Sequence, residues 1–205
     1  MKRNRPLNQE KRNAIIKAAI EEFYTKGYEA SSMDTISKEA NVSKATVYNH
    51  FKNKEELFLA LTHILLEKLE KSFQYEYGND KTIEFQLKDI AFKELEFLND
   101  DDNMKLIQIL TVVMIQKNEI GLKLLAYAKD DCMEMTSKWF EKAKENGKLD
   151  FENSLFISKQ FIGMIKSFAF YPQMYGAPKL TYDEQNNVVE KAVQMIIKQY
   201  SLTAS

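Results

Sequence analysis

The stretch that decides the fold reads Ile36-Ser37-Lys38-Glu39-Ala40-Asn41-Val42-Ser43-Lys44-Ala45-Thr46-Val47-Tyr48-Asn49-His50-Phe51. This pattern predicts two short helices joined by about three residues, which is the arrangement of a helix-turn-helix. Asn41 stands at the turn, where the backbone needs a left-handed conformation that Asn adopts more readily than most residues. Val47 and Phe51 are four residues apart, so they can pack inward together against Ile36.

The outward side of the second short helix carries side chains that such a helix does not need for folding. They are Lys44, Ala45, Thr46, Tyr48, Asn49 and His50. A helix of this kind, laid in the major groove of DNA, places its N-terminal residues against base edges. The pattern therefore predicts a recognition helix for double-stranded DNA.

Charge is distributed unevenly along the 205 residues, although the formal net charge is only −1. Residues 1–54 contain 11 Lys and Arg against 6 Asp and Glu, a net charge of +5, and residues 55–205 have a net charge of −6. A DNA-binding domain over 1–54 and an acidic domain over 55–205 would produce this distribution. From charge alone, chance together with a basic terminal arm explains it equally well.

Apolar residues recur with helical spacing along most of the chain, and no run alternates as a half-buried strand would. Gly27 falls where one such pattern stops, as a glycine that ends a helix should. We therefore predict an all-α fold of about nine helices, in which the stretch 118–146 allows one break near Gly121 or Lys129. The expected helices lie at about 8–26, 33–40, 44–51, 53–73, 81–98, 103–116, 118–146, 153–171 and 182–200.

Residues 15–57 resemble the TetR family of bacterial one-component transcriptional regulators. The resemblance rests on Phe23-Tyr24-Thr25-Lys26-Gly27-Tyr28, on Ser32-Met33-Asp34-Thr35-Ile36-Ser37 and on the run from Val42 to Leu57. Two positions depart from the family, which usually has Gly in place of Asn41 and often has Gly in place of Ala45. The methyl group of Ala45 at a groove-facing position can change which base is preferred.

The resemblance implies roles in DNA binding for several of the matching residues. Ser32 and Ser43 cap helices and offer hydroxyl or N–H groups to phosphates. Those that contact base edges are Lys44, Thr46 and Asn49, with Asn49 suited to adenine. Those that hold the sugar-phosphate backbone are Tyr48, His50 and Lys54, and the terminal arm of Lys2, Arg3 and Arg5 can add further contacts.

Each of the three backbone-contacting residues also has a plainer interpretation. Tyr48 could be a core residue, although Val47 and Phe51 already fill the inward face. His50 could be an incidental surface residue, and Lys54 could be no more than a first-turn residue of the fourth helix.

No catalytic, metal or cofactor site is predicted. The chain has two His in total, so a His-rich metal site within one chain is excluded, and no nucleotide-binding or hydrolase motif occurs. Cys132 has no His nearby in sequence and is more simply a small buried residue. The basic N-terminus is followed by no apolar signal region, and the longest apolar stretch, Leu106–Ile115, is too short to span a membrane. We therefore expect a cytoplasmic protein with no membrane partner.

The rest of the chain is rich in Phe, Met and Tyr, which at helical spacing are core residues first. The resemblance adds a second role, because members of the family commonly bind small, often apolar molecules among the middle helices. An apolar cavity with a few polar groups would suit such a molecule. The expected effector-binding residues are Phe92, Thr111, Met114, Tyr127 and Trp139.

The final two long helices carry more apolar surface than one helix buries against its own domain. The residues concerned are Phe161, Ile165, Phe168, Val189, Val193 and Ile196. The resemblance implies that they form a four-helix bundle with a second copy, although both helices could instead be interior to the monomer. The function expected is a homodimeric repressor that binds a roughly palindromic operator and is released by a small molecule. The alternative is a helical small-molecule-binding protein with no DNA-dependent role.

Overall fold

A computed structural model describes residues 4–117, 119–127 and 131–202, with the side chains of 4–7, 124–127 and 131–132 left out of the description. Within these ranges the chain forms eleven helices and no β-strand, so the prediction of an all-α fold is confirmed. The helices are α1 Asn4–Ala30, α2 Met33–Glu39, α3 Lys44–His50, α4 Lys54–Ser72, α5 Ile83–Asn99, α6 Asp101–Gln116, α7 Glu119–Tyr127, α8 Asp131–Glu145, α9 Ser154–Ala169, α10 Tyr171–Met174 and α11 Tyr182–Tyr200.

Two differences account for the excess over the nine helices predicted. The stretch 118–146 is divided between α7 and α8, and the four-residue α10 follows α9. The break considered at Gly121 is wrong, because α7 runs through that residue. The alternative position at Lys129 lies outside the described residues.

The first helix begins at Asn4, earlier than expected, and is interrupted at Gly27, where it was expected to stop. Gly27 has φ 77° and ψ 165°, a conformation that residues with a side chain rarely adopt. The backbone resumes helical geometry as far as Ala30, so the interruption separates a short final turn from the main helix.

The chain divides into two compact units. The first contains Met1–Glu67 and Asp101–Tyr127, and the second contains Lys68–Asp100 and Ala128–Ser205. The first unit therefore holds the helix-turn-helix together with α6 and α7. The domains expected at 1–54 and 55–205 remain a proposal.

The core of the first unit joins α1 to the helix-turn-helix and to the start of α4. The rings of Phe23 and Phe58 meet edge to face with centroids 5.3 Å apart, and Tyr28 meets Phe58 in the same way at 4.9 Å. The inward side predicted for the helix-turn-helix is confirmed, since Ile36, Val47 and Phe51 are buried.

The core of the second unit is built from α5, α8, α9 and α11. Its largest buried side chains include Trp139, Phe140 and Phe161. Five of the six residues expected to form a dimer interface lie in this core, which corrects their assignment: Phe161, Ile165, Val189, Val193 and Ile196. A second copy cannot reach side chains that the unit itself already covers. Only Phe168 of that set is exposed.

Candidate nucleic-acid interface

Serine side chains cap both helices of the helix-turn-helix. The Ser32 hydroxyl accepts a hydrogen bond from the backbone N–H of Thr35, and the Ser43 hydroxyl accepts one from Thr46, each at 3.1 Å. Such a cap satisfies an N–H group that the first turn of a helix leaves unpaired. The predicted caps are confirmed, while contact of either serine with a phosphate remains a prediction.

The turn between the two helices has the geometry that the sequence predicted. Asn41 has φ 53°, so it occupies the left-handed region. The backbone N–H of Val42 donates to the carbonyl of Ser37 at 3.0 Å, which closes the end of α2 over the turn. This short connection places α3 directly against α2.

The outward side of α3 is open to solvent. Lys44, Ala45, Tyr48 and Asn49 are exposed, and Thr46 and His50 are half-buried. Tyr48 is 49% exposed, which rules out the core interpretation for its side chain. The seven-residue helix α3 thus has one side that is buried through Val47 and an opposite polar side that is accessible to a partner.

Lys44 has a partner that the sequence did not predict. Its ammonium nitrogen lies 2.6 Å from Oδ2 of Asp34, in the first turn of α2, and both side chains are more than half exposed. No local pattern signals this ion pair, because the two residues are ten apart and on different helices.

His50 ends α3 beside the basic side chains of α1. Burial lowers the pKa of His50 below its usual value, and the positive charges of Arg12 and Lys11 lower it further. Arg12 also lies over the ring of Phe51, 4.5 Å from its centroid, so α1 supplies a cation next to the end of α3. Arg12 was not predicted from the sequence, since only the folded chain brings it close to Phe51.

The Lys54 side chain forms hydrogen bonds within the protein. Its ammonium group donates to the carbonyl oxygens of Tyr28 at 2.6 Å, Glu29 at 3.0 Å and Ser31 at 3.1 Å. It also lies 4.5 Å from the centroid of the Tyr28 ring. An ammonium has three hydrogens to donate, and all three are used at the end of α1. The structure therefore favours a structural role over the phosphate contact that the resemblance implied.

Two ion pairs connect α6 and α7 to the helices of the DNA-binding motif within the first unit. Lys105 on α6 contacts Glu21 on α1 at 2.6 Å, and Lys123 on α7 contacts Glu55 on α4 at 2.7 Å. Lys123 also contacts Glu119 at 3.1 Å. The partners of the first two pairs are 84 and 68 residues apart, so no local sequence pattern could reveal them.

Two of the expected effector-binding residues belong to the second unit. Trp139 is buried in the core, and its indole N–H donates to Oε1 of Gln86 at 3.3 Å. The same residue lines a cavity of about 250 Å³. Phe92 is half-buried and stacks on Tyr182 with ring centroids 6.1 Å apart.

The other candidates are placed differently. Thr111 and Met114 are half-buried on α6 in the first unit. The side chain of Tyr127 lies outside the described residues, as do Lys2, Arg3 and the side chains of Arg5 and Cys132. The described candidates are thus divided between the two units, and a shared role for the five residues in effector binding remains a prediction.

Among the described side chains, no three His, Cys, Asp or Glu are grouped as a metal site would require. The described helices include none with the length and apolarity needed to cross a bilayer.

Comparisons with known proteins match both parts of the chain. Residues 15–61 match the family of bacterial regulatory proteins named tetR, and residues 85–202 match the C-terminal domain of AefR-like transcriptional repressors. The uncharacterised HTH-type transcriptional regulator YhgD of Bacillus subtilis is 40% identical over 65 residues, which are 32% of this chain and 34% of that protein. The fatty acid metabolism regulator protein of the same species is 29% identical over 123 residues, 60% of each protein.

The chain thus matches less than two thirds of the length of these two relatives. A solved structure of a TetR family transcriptional regulator from Pseudomonas syringae is similar over a much longer range. It is 33% identical, has a TM-score of 0.80 and aligns over 94% of this chain and 97% of its own. With one family model covering more than half of the sequence and this structure nearly all of it, the chain belongs to the TetR family of bacterial regulatory proteins, which are regulators of transcription and not enzymes.

Proposed function

We propose that the protein is a ligand-responsive, DNA-binding transcriptional regulator that acts in the cytoplasm. The observation that carries this proposal is the division of α3, whose Val47 is fully buried while Tyr48 and Asn49 face solvent. We propose that Lys44, Thr46 and Asn49 contact base edges. The contacts with the sugar-phosphate backbone of DNA come from Tyr48, His50 and the helix caps Ser32 and Ser43. Ala45 lies on the same exposed side and tunes the base preference.

We propose further that the protein binds its operator as a homodimer. The exposed apolar residues of α9 and α11 are the surface for it, namely Phe156 at 61%, Phe168 at 65% and Met195 at 60% exposure. Gly163 lies between the two phenylalanines on α9, with open space beside its Cα, so a second helix can approach closely there. These residues replace the buried set as the proposed interface.

A twofold dimer presents two recognition helices to successive major grooves, which requires a separation of about 34–36 Å or a multiple of it. The operator is therefore expected to be roughly palindromic. An effector that favours a different separation lowers DNA affinity by the ratio of its own affinities for the two states. A small, largely apolar effector that releases DNA in this way makes the protein a repressor.

Helix α4 and the two interhelical ion pairs supply the connection that this mechanism needs. Lys54 begins α4 beside the end of α1, while Lys123 and Lys105 attach α7 and α6 to the same module. A shift of α6 or α7 is therefore passed to the helices that position α3.

Selection of bound fragments from random DNA tests the proposal directly. The wild-type protein should enrich a palindrome, and Asn49→Ala should lose about 1–3 kcal/mol at one base position while others keep their preference. Asn187→Ala, an exposed change on α11, is the matched control and should leave the selected sequence unchanged. Equal losses on every sequence would show that Asn49 does not read a base, and no enrichment at all would contradict the regulator function.

A further inference from the structure

Two cations in the first half of α1 lie beside the end of the recognition helix, although α1 is not part of the helix-turn-helix. Arg12 lies over the ring of Phe51, the residue that follows α3, with Cζ 4.5 Å from the ring centroid. The ring of His50, the last residue of α3, has its centroid 6.3 Å from that of Phe51. The positive charges of Arg12 and Lys11 both add to burial in lowering the pKa of His50. The end of α3 is therefore close to two positive charges from α1.

Neither of these cations forms an ion pair within the described part of the chain. The guanidinium of Arg12 carries five N–H groups, and none of them donates to another described residue. Lys11 is exposed to solvent. The contrast is Lys44 at the start of α3, whose ammonium nitrogen lies 2.6 Å from Asp34. Arg12 and Lys11 thus retain their full capacity to donate hydrogen bonds to a partner.

Positive groups gathered without a carboxylate repel one another, and an anion placed among them relieves that repulsion. A guanidinium can hold a phosphate or a carboxylate through two parallel N–H···O bonds, while a lysine adds a point charge. The non-bridging oxygens of a phosphate diester can accept hydrogen bonds from Arg12 and Lys11 at the same time. The chemistry of the cluster therefore suits a phosphate group.

The position of the cluster favours a phosphate of DNA. When a recognition helix lies in the major groove, its N-terminal residues read base edges and its C-terminal end contacts the sugar-phosphate backbone. The cluster is at that second end, because His50 and Phe51 close α3. Packing of Arg12 on Phe51 would need no second cation, yet the charge of Lys11 also acts on His50.

We propose that Lys11 and Arg12 on α1, together with His50 at the end of α3, bind one phosphate of the DNA backbone. This inference adds α1 to the DNA-binding surface and rests on the function proposed above. A phosphate contact carries no base information, so it strengthens binding to operator and to random-sequence DNA by the same factor.

The double change Lys11→Gln with Arg12→Met removes both cations of α1 while keeping long side chains. The affinity for operator and for random-sequence DNA should fall by about tenfold or more in each case, as expected when a phosphate loses charged donors. The slope of log affinity against log salt concentration should become less steep by about one. Thermal unfolding checks that the variant is folded. An unchanged slope, or a loss confined to the operator, would overturn the proposal.

Lys17→Gln is the matched control for the single change Lys11→Gln. Both lysines are exposed on α1, but Lys17 lines a groove that also includes Glu21 and Glu39. Lys11→Gln should weaken DNA binding severalfold, whereas Lys17→Gln should change it by less than about twofold. Because the Lys11 side chain is exposed, this comparison does not depend on how the fold tolerates the loss of Arg12. Equal losses in the two variants would show a general attraction by charge and would contradict a site at Lys11.

Arg12→Lys separates a phosphate contact from packing against Phe51. Lysine keeps the charge but cannot form two parallel N–H···O bonds. Affinity should therefore fall severalfold while the salt slope stays that of the wild type. If Arg12 acts by packing alone, Arg12→Lys and Arg12→Met will both lower the melting temperature and neither will change the salt slope. That result would overturn the proposal.

Inorganic phosphate tests whether the cluster takes a free anion instead of DNA. The proposal expects the imidazole NMR signals of His50 to be little changed by micromolar inorganic phosphate. Binding at such concentrations, together with a wild-type salt slope for the double variant, would identify a free-anion site and overturn the proposal.

The same variants distinguish this proposal from the proposed function. If the wild type selects an operator but the double variant keeps the wild-type slope, the regulator function stands and the phosphate site is wrong. If the wild type selects no sequence but the double variant loses about one from its slope on random DNA, the phosphate site stands and the reading of an operator is wrong.

Discussion

The ammonium nitrogen of Lys44 lies 2.6 Å from Oδ2 of Asp34, which joins the first turn of α2 to the first residue of the recognition helix. Because both groups are exposed, this ion pair contributes only about 0–1 kcal/mol to stability. Its consequence concerns DNA binding. Lys44 is the proposed contact to a base edge, so in non-specific binding a phosphate that attracts it must displace the Asp34 carboxylate, which then lies close to the negatively charged DNA backbone.

Asp34→Asn should therefore raise affinity for random-sequence DNA severalfold and reduce the ratio of specific to non-specific affinity. The amide keeps the shape of the side chain but removes the charge that competes with phosphate. Fluorescence polarisation over a range of salt concentrations should show that the slope of log affinity against log salt concentration becomes steeper by about one. Asp183→Asn, an acid in the first turn of α11, is the control and should change neither quantity. Unchanged non-specific binding of Asp34→Asn would show that the carboxylate does not restrain Lys44.

We expect DNA binding to depend on pH, because His50 is proposed to contact the sugar-phosphate backbone of DNA. In the free protein burial and the charges of Arg12 and Lys11 lower the pKa of His50 below 6.5, so the neutral form is favoured. A nearby phosphate favours the charged form, so the complex takes up a proton. Affinity should rise by up to about tenfold per unit as pH falls through the interval between the free and the bound pKa.

Binding measured between about pH 8 and pH 6 checks this, with His50→Gln losing the dependence. His63→Gln removes the other histidine of the chain and should retain it. The same pH dependence in His50→Gln would show that His50 does not contact phosphate.

The parts of the fold that the sequence predicted depend on local interactions. Ser32 and Ser43 were expected to cap helices, and each accepts a hydrogen bond from a backbone N–H three residues on. Asn41 was expected in the left-handed region, which it occupies. Caps and turns involve residues within one or two turns, so the chemistry that determines them is visible in the sequence itself.

The incorrect predictions concern residues whose contact partners are distant in sequence. The apolar stripe of Phe161 and Ile165 showed that α9 buries one face, but helical spacing does not say whether the covering surface belongs to the same chain. Likewise, Lys54 lies 26 residues from Tyr28, the nearest of its carbonyl partners at 2.6 Å. Only the folded chain shows which surface and which carbonyls these side chains contact.

Lys54 gives a direct test of the role that the structure assigns. Lys54→Met removes hydrogen bonds to the carbonyls of Tyr28, Glu29 and Ser31 while keeping an unbranched apolar chain. The free energy of unfolding should fall by about 1.5–3 kcal/mol, because these carbonyls lose a charged donor. The salt dependence of DNA binding should be unchanged, as measured at a temperature where the variant remains folded.

The neighbouring exposed Lys52→Met is the control and should leave stability unaltered. If Lys54→Met were as stable as the wild type and its salt dependence fell by about one charge, Lys54 would be a phosphate contact after all.

Phe168 tests the proposed dimer, because it is the one residue of the originally expected interface that remains exposed. Phe168→Glu should raise the dimer dissociation constant at least about a hundredfold, since the twofold axis would place an unpaired charge from each copy in an apolar contact. Operator affinity should fall with it, because a monomer reaches only one half-site.

Phe85→Glu makes the same change at another exposed phenylalanine, on α5, and should leave both properties intact. Light scattering at micromolar concentration measures the first property. A wild-type monomer, or a Phe168→Glu variant that stays dimeric, would mean that this surface is not the interface.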